Sequence, residues 1–147
     1  MADFVNKAVR SRMMSGIRGK DTKPELMVRR YLHAQGYRFR LHDRTLEGRP
    51  DLVLKKWQSV IFVHGCFWHR HPGCRYATTP ATRPEFWGNK FEANQVRDER
   101  SQHALVNQGW RVAVVWECAL KSGRAEQTLG ELADWLCGNG ERFETSI

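Results

Sequence analysis

The sequence predicts an α/β fold in which helices flank a mixed central β-sheet. A helix-start signal at Thr22 followed by helically spaced apolar residues predicts the first helix. Two short apolar runs separated by four residues predict a β-hairpin, and a long helical segment precedes one further apolar run. The order helix, strand, hairpin, helix, strand, helix gives a sandwich of helices around a sheet.

The first helix begins at Thr22-Lys-Pro-Glu25, where a hydroxyl N-cap precedes a first-turn proline and a glutamate at the capping-box position. Gly36 is the expected stop, and the helical apolar pattern between them comprises Leu26, Val28, Tyr31 and Leu32. Residues 37–41 alternate aromatic or aliphatic side chains with arginine, which predicts a half-exposed strand.

The hairpin follows a polar loop over residues 42–50. Residues 51–54 and 59–63 are the two predicted strands, and residues 55–58 form the turn between them. The second strand is apolar throughout, so we expect both of its faces to be buried.

The remaining elements are two helices and one strand. Pro84 opens a long helix that runs to about Asn107, and Gly109 ends it. Residues 110–116 predict another strand, and residues 124–137 predict the last helix.

Charge and composition predict a single globular domain over residues 1–147 with a polyanionic partner. The formal net charge is +8, the pI is about 9.7, and 41% of the residues are apolar. Residues 1–20 are interpreted as a basic arm that contacts DNA, and we favour nucleic acid over a generic basic surface. The cations of the first 30 residues are Lys7, Arg10, Arg12, Arg18, Lys20, Lys23, Arg29 and Arg30.

Two apolar residues of the arm, Met14 and Ile17, lie close to Arg12 and Arg18. Such a pattern suits insertion of the apolar side chains between base steps while the arginines hold phosphates. The alternative is that the apolar side chains pack onto the first helix, and both interpretations stay open at this point.

We expect no membrane partner and a cytoplasmic location. The sequence begins without an apolar run of signal-peptide length, and no stretch approaches the roughly 20 apolar residues that span a bilayer. Thiols stay reduced in the cytoplasm, so four cysteines with neighbouring histidines favour metal binding over disulfides.

The loop after the hairpin concentrates metal ligands. Cys66, His71 and Cys74 lie within nine residues, and Cys118 directly follows an apolar strand. Three thiolates and one imidazole are the ligands of a closed tetrahedral site, so we predict structural Zn²⁺. The alternative is that Cys66 and Cys118 are ordinary buried side chains, as we expect for Cys137 on the last helix.

His64 and His69 of the same loop are not needed for zinc. Imidazoles free of metal are the usual proton carriers near neutral pH. Phe67 and Trp68 lie between them, where a purely structural loop would be polar. We expect these aromatics either to join the core or to stack on bases, and the sequence leaves both open.

Asp51 begins an apolar strand, so its carboxylate should emerge at the edge of the sheet. The hairpin brings it near Val63 and His64. A carboxylate there, with the backbone carbonyl of Val63 and the His64 imidazole, suits Mg²⁺. The alternative is a turn aspartate that caps the loop, and Glu25 is interpreted first as a capping-box residue.

The chain resembles the very-short-patch repair (Vsr) endonucleases, which nick mismatched DNA. The resemblance covers nearly the full length, and its most specific block is Val60-Ile-Phe-Val-His-Gly-Cys-Phe-Trp-His69. The other shared motifs are Arg10-Ser-Arg-Met-Met14, Ile17, Thr22, Glu25, Gly48-Arg-Pro-Asp51, Pro80-Ala-Thr-Arg-Pro-Glu-Phe-Trp87, Gly109-Trp-Arg-Val and Val115-Trp-Glu-Cys118.

This resemblance implies a restriction-endonuclease-like fold and nicking of one strand 5′ to the thymine of a T·G mismatch. Such mismatches are left when 5-methylcytosine deaminates. It implies Mg²⁺ on Asp51 and on the carbonyl of Val63, where the family often has threonine. It also implies active-site roles for Glu25, His64 and His69, which replaces the capping-box interpretation of Glu25. The implied zinc ligands are Cys66, His71, Cys74 and Cys118. The residues implied to wedge into the DNA are Phe67, Trp68, His69, Met14 and Ile17.

In the expected mechanism, His69 activates water as a general base and His64 steadies the charge of the transition state. The partners expected are double-stranded DNA with a T·G mismatch and mismatch-repair proteins, and an asymmetric lesion indicates a monomer. Two other functions remain open. One is a non-catalytic zinc-stapled module that binds distorted duplex, and the other is a related nuclease that cuts matched duplex.

Overall fold

The computed structural model describes residues 22–121 and 123–145. Its strands form one sheet whose spatial order follows the chain. The second strand pairs antiparallel with both the first and the third, and the last two continue parallel to the third. The predicted α/β class with a mixed sheet is therefore confirmed. The strands are β1 (Arg40–Leu41), β2 (Leu52–Leu54), β3 (Ser59–His64), β4 (Arg111–Trp116) and β5 (Arg142–Glu144).

Three of the four α-helices within residues 22–145 lie where the sequence predicts them, while the short second helix was not expected. Thr22 caps the first helix, since its hydroxyl accepts a 3.3 Å hydrogen bond from the Glu25 amide. Gly36 follows with φ +92°, as a glycine after a helix end should. The helices are α1 (Lys23–Ala34), α2 (Cys66–His69), α3 (Pro84–Asn107) and α4 (Ala125–Cys137), with 3₁₀ turns at Lys55–Trp57 and Glu117–Leu120.

The strand expected over residues 37–41 is reduced to Arg40–Leu41. Tyr37 instead packs its ring against Trp57, with centroids 5.4 Å apart, and lies in the core. Strand β5 was not expected, because two of its three residues are exposed charges and only Phe143 is apolar. Its extended conformation comes from pairing with β4, and three residues of local sequence do not predict such a long-range contact.

Side chains of the sheet alternate between two apolar cores, one on each face. Ile61 of β3 belongs to the first core, whereas Val60 and Phe62 belong to the second. Helices α1 and α4 cover the first core through Val28, Leu32, Leu129, Leu132 and Leu136. The second core contains Leu105 of α3 and three cysteines, Cys66, Cys74 and Cys118. Burial of each such aliphatic side chain is worth about 1.5–3 kcal/mol.

The candidate site residues Asp51 and His64 lie at the same end of this sheet. Strands β3 and β4 are parallel and end together, with His64 opposite Trp116. Strand β2 runs the other way, so its first residues lie beside the last residues of β3. Within the described ranges, no helix is long and apolar enough to cross a membrane.

Candidate active site and metal centre

Asp51 lies where the hairpin register requires, next to the end of β3. Its Oδ2 accepts a 2.7 Å hydrogen bond from the backbone N–H of Val63. The side chain is 8% exposed, and its position is fixed by that bond and by the pairing of Leu52 with Ile61. A turn aspartate that merely caps the loop would be exposed, so the burial of Asp51 favours a site residue.

Glu25 is placed beside Asp51 by the first turn of α1. The side chain is 1% exposed and its Oε2 lies 2.8 Å from Nε2 of His42 and 3.3 Å from Nη1 of Arg29. Its backbone amide takes part in the Thr22 cap while its carboxylate faces the site, so the cap and the site use different parts of one residue.

His42 is a site residue that the sequence analysis missed. It follows β1, has φ +51°, and its backbone N–H donates to the carbonyl of Asp51 at 3.1 Å. In sequence it is one histidine in a polar loop, and no motif marks it. The signal lies in the strand register, because Leu41 pairs with Leu52 and the next pair is His42 with Asp51.

The two buried carboxylates carry an electrostatic cost. Burial, followed by the charge of Glu25 and a hydrogen bond with it, raises the pKa of Asp51 to about 8, against the opposing effect of the Val63 amide. The ligand atoms of Glu25, His42 and Asp51 all lie within 4.8 Å of one another. A divalent cation would neutralise this pair, and carboxylate oxygens are the ligands that Mg²⁺ prefers, so the residues fit that ion.

The second cluster contains two stacked imidazoles and a carboxylate. The rings of His64 and His69 are parallel within 4°, with centroids 3.8 Å apart. Nδ1 of His69 lies 2.6 Å from Oδ2 of Asp98 on α3. Asp98 was also missed by the sequence analysis, because it lies among exposed charges on a long helix and nothing local distinguishes it from them.

His64 is the buried member of that cluster. Burial first, and then the neighbouring His69, lowers the pKa of His64 well below its ordinary value. Its ring meets the edge of Trp116 at 5.1 Å, and its Nδ1 has no hydrogen-bond partner among the described residues. The site thus holds a neutral imidazole with a nitrogen available to a ligand.

The predicted zinc ligands converge on one point. Cys66, His71, Cys74 and Cys118 are all buried, and their ligand atoms lie within 4.8 Å of one another. Nδ1 of His71 is 3.8 Å from Sγ of Cys66 and 3.3 Å from Sγ of Cys118. Tetrahedral Zn²⁺ with bonds of about 2.3 Å to sulfur and about 2.0 Å to nitrogen places these atoms about 3.5 Å apart. The residues therefore fit zinc.

The thiols of this cluster differ in acidity. Burial raises the pKa of Cys66 and of Cys118. Burial acts in the same direction on Cys74, yet hydrogen bonds from the Tyr76 amide and from the other two thiols bring its pKa below the usual value. Cys74 is thus the most acidic thiol of the three, and a bound metal would deprotonate all of them.

Phe67 and Trp68 lie on α2 and are half-buried. Phe67 contacts Trp87 and Phe91 of α3 with ring centroids 6.1 and 5.2 Å apart, and Trp68 contacts Trp87 at 5.7 Å. The four rings form an aromatic cluster that joins α2 to α3. Phe67 and Trp68 therefore each bury part of the ring in this cluster and expose the rest.

A cavity of about 530 Å³ lies beside the second cluster and the aromatic cluster. Its lining includes His69 and Asp98 from the second cluster, Val63 from β3, and Phe67 and Trp68 from the aromatic cluster. A ligand in this space would touch aromatic faces, an imidazole and the backbone that holds Asp51.

Several predictions are not met or not reached. Cys137 was predicted to lie in the core and is exposed, because it is at the last turn of α4, where its Sγ lies 3.0 Å from the hydroxyl of Tyr37. The DNA-binding residues predicted in the basic arm, Arg12, Met14, Ile17 and Arg18, lie outside the described residues.

The fold and the clusters define an α/β protein with a Cys₃His cluster that could hold a metal ion and with two carboxylate–histidine clusters. A family model described as DNA mismatch endonuclease Vsr matches residues 2–75. The chain is 46% identical over 143 residues to the DNA mismatch endonuclease Vsr of Escherichia coli (strain K12), covering 95% of this chain and 91% of that protein.

Two further relatives agree with this match. The chain is 47% identical over 135 residues to the type II nicking enzyme V.XorIIP of Xanthomonas oryzae pv. oryzae, covering 91% of this chain and 98% of that protein. It is 42% identical over 122 residues to the type II nicking enzyme V.NmeAIP of Neisseria meningitidis serogroup A, covering 83% and 86%. The chain belongs to the Vsr family and is a DNA nicking endonuclease of DNA repair.

Proposed function

We propose that this enzyme nicks one DNA strand 5′ to the thymine of a T·G mismatch, with Mg²⁺ as its catalytic cofactor. The observation that carries the proposal is the meeting of two clusters at one end of the sheet. The buried Glu25–Asp51 pair adjoins Val63, and Val63 lines the same cavity as His69 and Asp98. The names of the relatives, a mismatch endonuclease and nicking enzymes, support the same reaction.

Asp51 is the residue that would hold Mg²⁺, together with the backbone carbonyl of Val63, with Glu25 and His42 beside it. When bound, the ion supplies Lewis-acid stabilisation of the scissile phosphate and of the leaving 3′ oxygen. Asp51 contributes a carboxylate that the Val63 amide holds in one orientation. Valine in place of the family's frequent threonine preserves a main-chain ligand and removes only a hydroxyl.

His69 is the proposed general base. Asp98 accepts a hydrogen bond from Nδ1–H of His69, so the other ring nitrogen keeps a lone pair that can take a proton from water. General-base assistance of this kind is typically worth about 10²–10⁴-fold. His64 fixes the His69 ring by stacking, and donates a hydrogen bond to the phosphate as its charge develops.

Phe67 and Trp68 are the proposed wedge that enters the base stack beside the mismatch. Their contacts with Trp87 and Phe91 fix both side chains against α3. Opening a base step costs a few kcal/mol, and a poorly stacked T·G pair lowers that cost. Met14 and Ile17 with Arg12 and Arg18 would approach from the opposite groove.

Zn²⁺ is proposed as the structural ion that ties the loop after β3 to the end of β4. Reduced thiols can ligate metal in the cytoplasm, which is the proposed location. We propose a single domain that acts as a monomer, since the lesion itself has no two-fold symmetry. The nick would begin very-short-patch repair of a deaminated 5-methylcytosine, in which mismatch-repair proteins are the expected partners.

The test compares two duplexes that differ by one base, a T·G mismatch and the matched T·A pair, with Mg²⁺ and with EDTA. We expect a single nick 5′ to the mismatched thymine only when both the mismatch and Mg²⁺ are present. His69→Ala and Asp51→Ala should each abolish nicking with zinc content unchanged, while the exposed Lys56→Ala at the far end of the hairpin should nick normally.

The alternatives predict other results. Tight binding of the T·G duplex without a nick under every metal condition would indicate a non-catalytic module. Equal cleavage of the matched duplex would indicate a nuclease without mismatch specificity. Wild-type rates in either active-site variant would remove that residue from the mechanism.

A further inference from the structure

The loop between β1 and β2 forms one side of an open groove next to the catalytic cavity. The groove has a volume of about 620 Å³, and its other side is α3. Its charged lining residues are Arg44, Arg49 and Arg97, against the single acid Glu47. All three arginines are exposed, and within the described ranges none of them forms an ion pair with a carboxylate.

This groove is continuous with the proposed site of cleavage. Arg97 lines both the groove and the 530 Å³ cavity that contains His69 and Asp98. Arg97 directly precedes Asp98 on α3, and its Nη1 donates to Oδ1 of Asn94 at 3.3 Å, another residue of that cavity. At the opposite end, Arg49 is two residues before Asp51.

The loop that carries Arg44 and Arg49 is held in a fixed shape. The carboxylate of Asp43 accepts hydrogen bonds from the amide and hydroxyl of Thr45 at 2.8 and 2.6 Å. A Cβ added to Gly48 would lie 2.6 Å from Cβ of the buried Ser101, so the loop backbone is pressed against α3. Only glycine allows this approach.

Arg49 itself is in a strained conformation, with φ +49°, in the left-handed region that side chains other than glycine, asparagine and aspartate seldom adopt. A backbone of this kind is strained, and such strain tends to occur at functional sites. Glycine would adopt this conformation without strain, so the backbone itself does not require arginine at this position.

We infer that Arg44, Arg49 and Arg97 form a phosphate-binding track that holds the DNA backbone on the flank of the nicked bond. Guanidinium groups without acid partners suit bidentate contact with phosphate oxygens. The track is sequence-independent, because a groove of arginines and loop backbone reads phosphate and not base edges. This inference rests on the proposed function only because the proposed function places the nick at the cavity that contains His69 and Asp98.

The experiment measures binding of a fluorescent duplex containing one T·G mismatch, without divalent metal, over a range of NaCl concentrations. Each lost phosphate contact should reduce the slope of log affinity against log salt by about 0.9. We expect such a reduction for Arg44→Ala, Arg49→Ala and Arg97→Ala. Each variant should lose affinity for the matched duplex by the same factor as for the T·G duplex. Arg49→Lys should retain most of the slope.

Arg142→Ala is the matched control, since it removes one exposed arginine on the opposite edge strand, β5, and should leave both affinity and slope unchanged. Arg49→Gly keeps the variant foldable at the left-handed position and should behave as Arg49→Ala. Zinc content checks that each variant is folded.

Wild-type affinity and slope in all three alanine variants would overturn the phosphate track, as would an equal loss in Arg142→Ala. A loss of binding to the T·G duplex alone would also overturn it, because it would indicate mismatch recognition by these arginines. If the wild-type protein binds DNA with a normal salt slope but does not nick at T·G, the proposed function fails while this inference stands.

Discussion

At the scale of single residues, the site is built from groups that oppose stability. Glu25 and Asp51 are two carboxylates buried side by side, and the pKa of Asp51 rises to about 8 as a consequence. Such a pair is tolerated because a cation can offset its charge when the enzyme works. Activity and metal-free stability should therefore respond in opposite directions to neutralisation of Asp51.

Asp51→Asn tests that opposition. A raised carboxyl pKa means that the folded protein retains a proton that the unfolded chain releases, so wild-type stability falls as pH rises from about 4 to about 8. The asparagine variant has no carboxyl group at this position, so it lacks this fall of stability with pH. We expect it to abolish nicking while raising the metal-free melting temperature at pH 8 by at least about 3 °C, or about 1 kcal/mol.

Melting curves at pH 5 and pH 8 without metal provide the check, since the gain should be larger at pH 8. A variant less stable than wild type at both values would show that the hydrogen bond from Val63 matters more than the charge pair.

Asp98→Asn tests the orientation of His69. An asparagine at this position can donate to the imidazole as well as accept, so it no longer selects the tautomer with a proton on Nδ1. We expect the single-turnover nicking rate to fall about 10²–10⁴-fold. Affinity for the T·G duplex should stay near wild type, and a large loss of affinity instead would assign Asp98 to DNA binding.

At the scale of secondary-structure elements, the active end of the sheet depends on one close approach between the β1–β2 loop and α3. Gly48 has φ +74°, and an added Cβ would meet Cβ and Oγ of Ser101 at 2.6 and 2.9 Å. This contact fixes the loop that leads directly into Asp51. The position of the proposed catalytic carboxylate, Asp51, thus depends on a glycine outside the site.

Gly48→Ala should be more harmful than Gly109→Ala, its matched control. Both glycines have positive φ, at +74° and +93°, but nothing lies within 4 Å of the Cβ position at Gly109. We expect both variants to lose about 1 kcal/mol for the backbone conformation, and Gly48→Ala to lose more and to nick slowly. Urea unfolding and nicking rates measure the difference.

The double variant Gly48→Ala/Ser101→Gly should recover part of the loss in nicking, because it removes the clashing atoms. Equal behaviour of the two single variants would show that the loop can move away from α3 without consequence.

At the scale of the whole molecule, the metal cluster is part of the second core. Cys66, Cys74 and Cys118 pack with Phe62, Val114 and Trp116, and the ring of His71 stacks on Trp116 at 4.2 Å. The loop with the proposed catalytic histidines is therefore continuous with the core through the proposed metal ligands. Zinc should stabilise the entire fold and not the loop alone.

Cys66→Ser should lose zinc and melt at a much lower temperature than wild type, and zinc chelation of the wild-type protein should have the same effect. Cys137→Ser is the matched control, since this thiol is exposed and distant from the cluster in the fold, and it should keep its zinc. A Cys66→Ser protein with full zinc occupancy and wild-type melting would contradict the ligand set.

The sequence alone determined most of the elements and grouped the proposed zinc ligands. Capping signals, apolar periodicity and a cysteine–histidine spacing act over a few residues, so α1, α3, α4 and the hairpin could be placed in advance. The hairpin also anticipated that Asp51 lies beside Val63, because strand register is local when the turn is short.

Only the tertiary structure decided which other side chains join the site. His42 meets Asp51 and Glu25 through the pairing of β1 with β2, and Asp98 meets His69 because α3 packs against α2. The three arginines of the phosphate track come from a loop and a helix about 50 residues apart in sequence. Contacts between distant segments depend on packing geometry, and no local pattern of residue types carries that information.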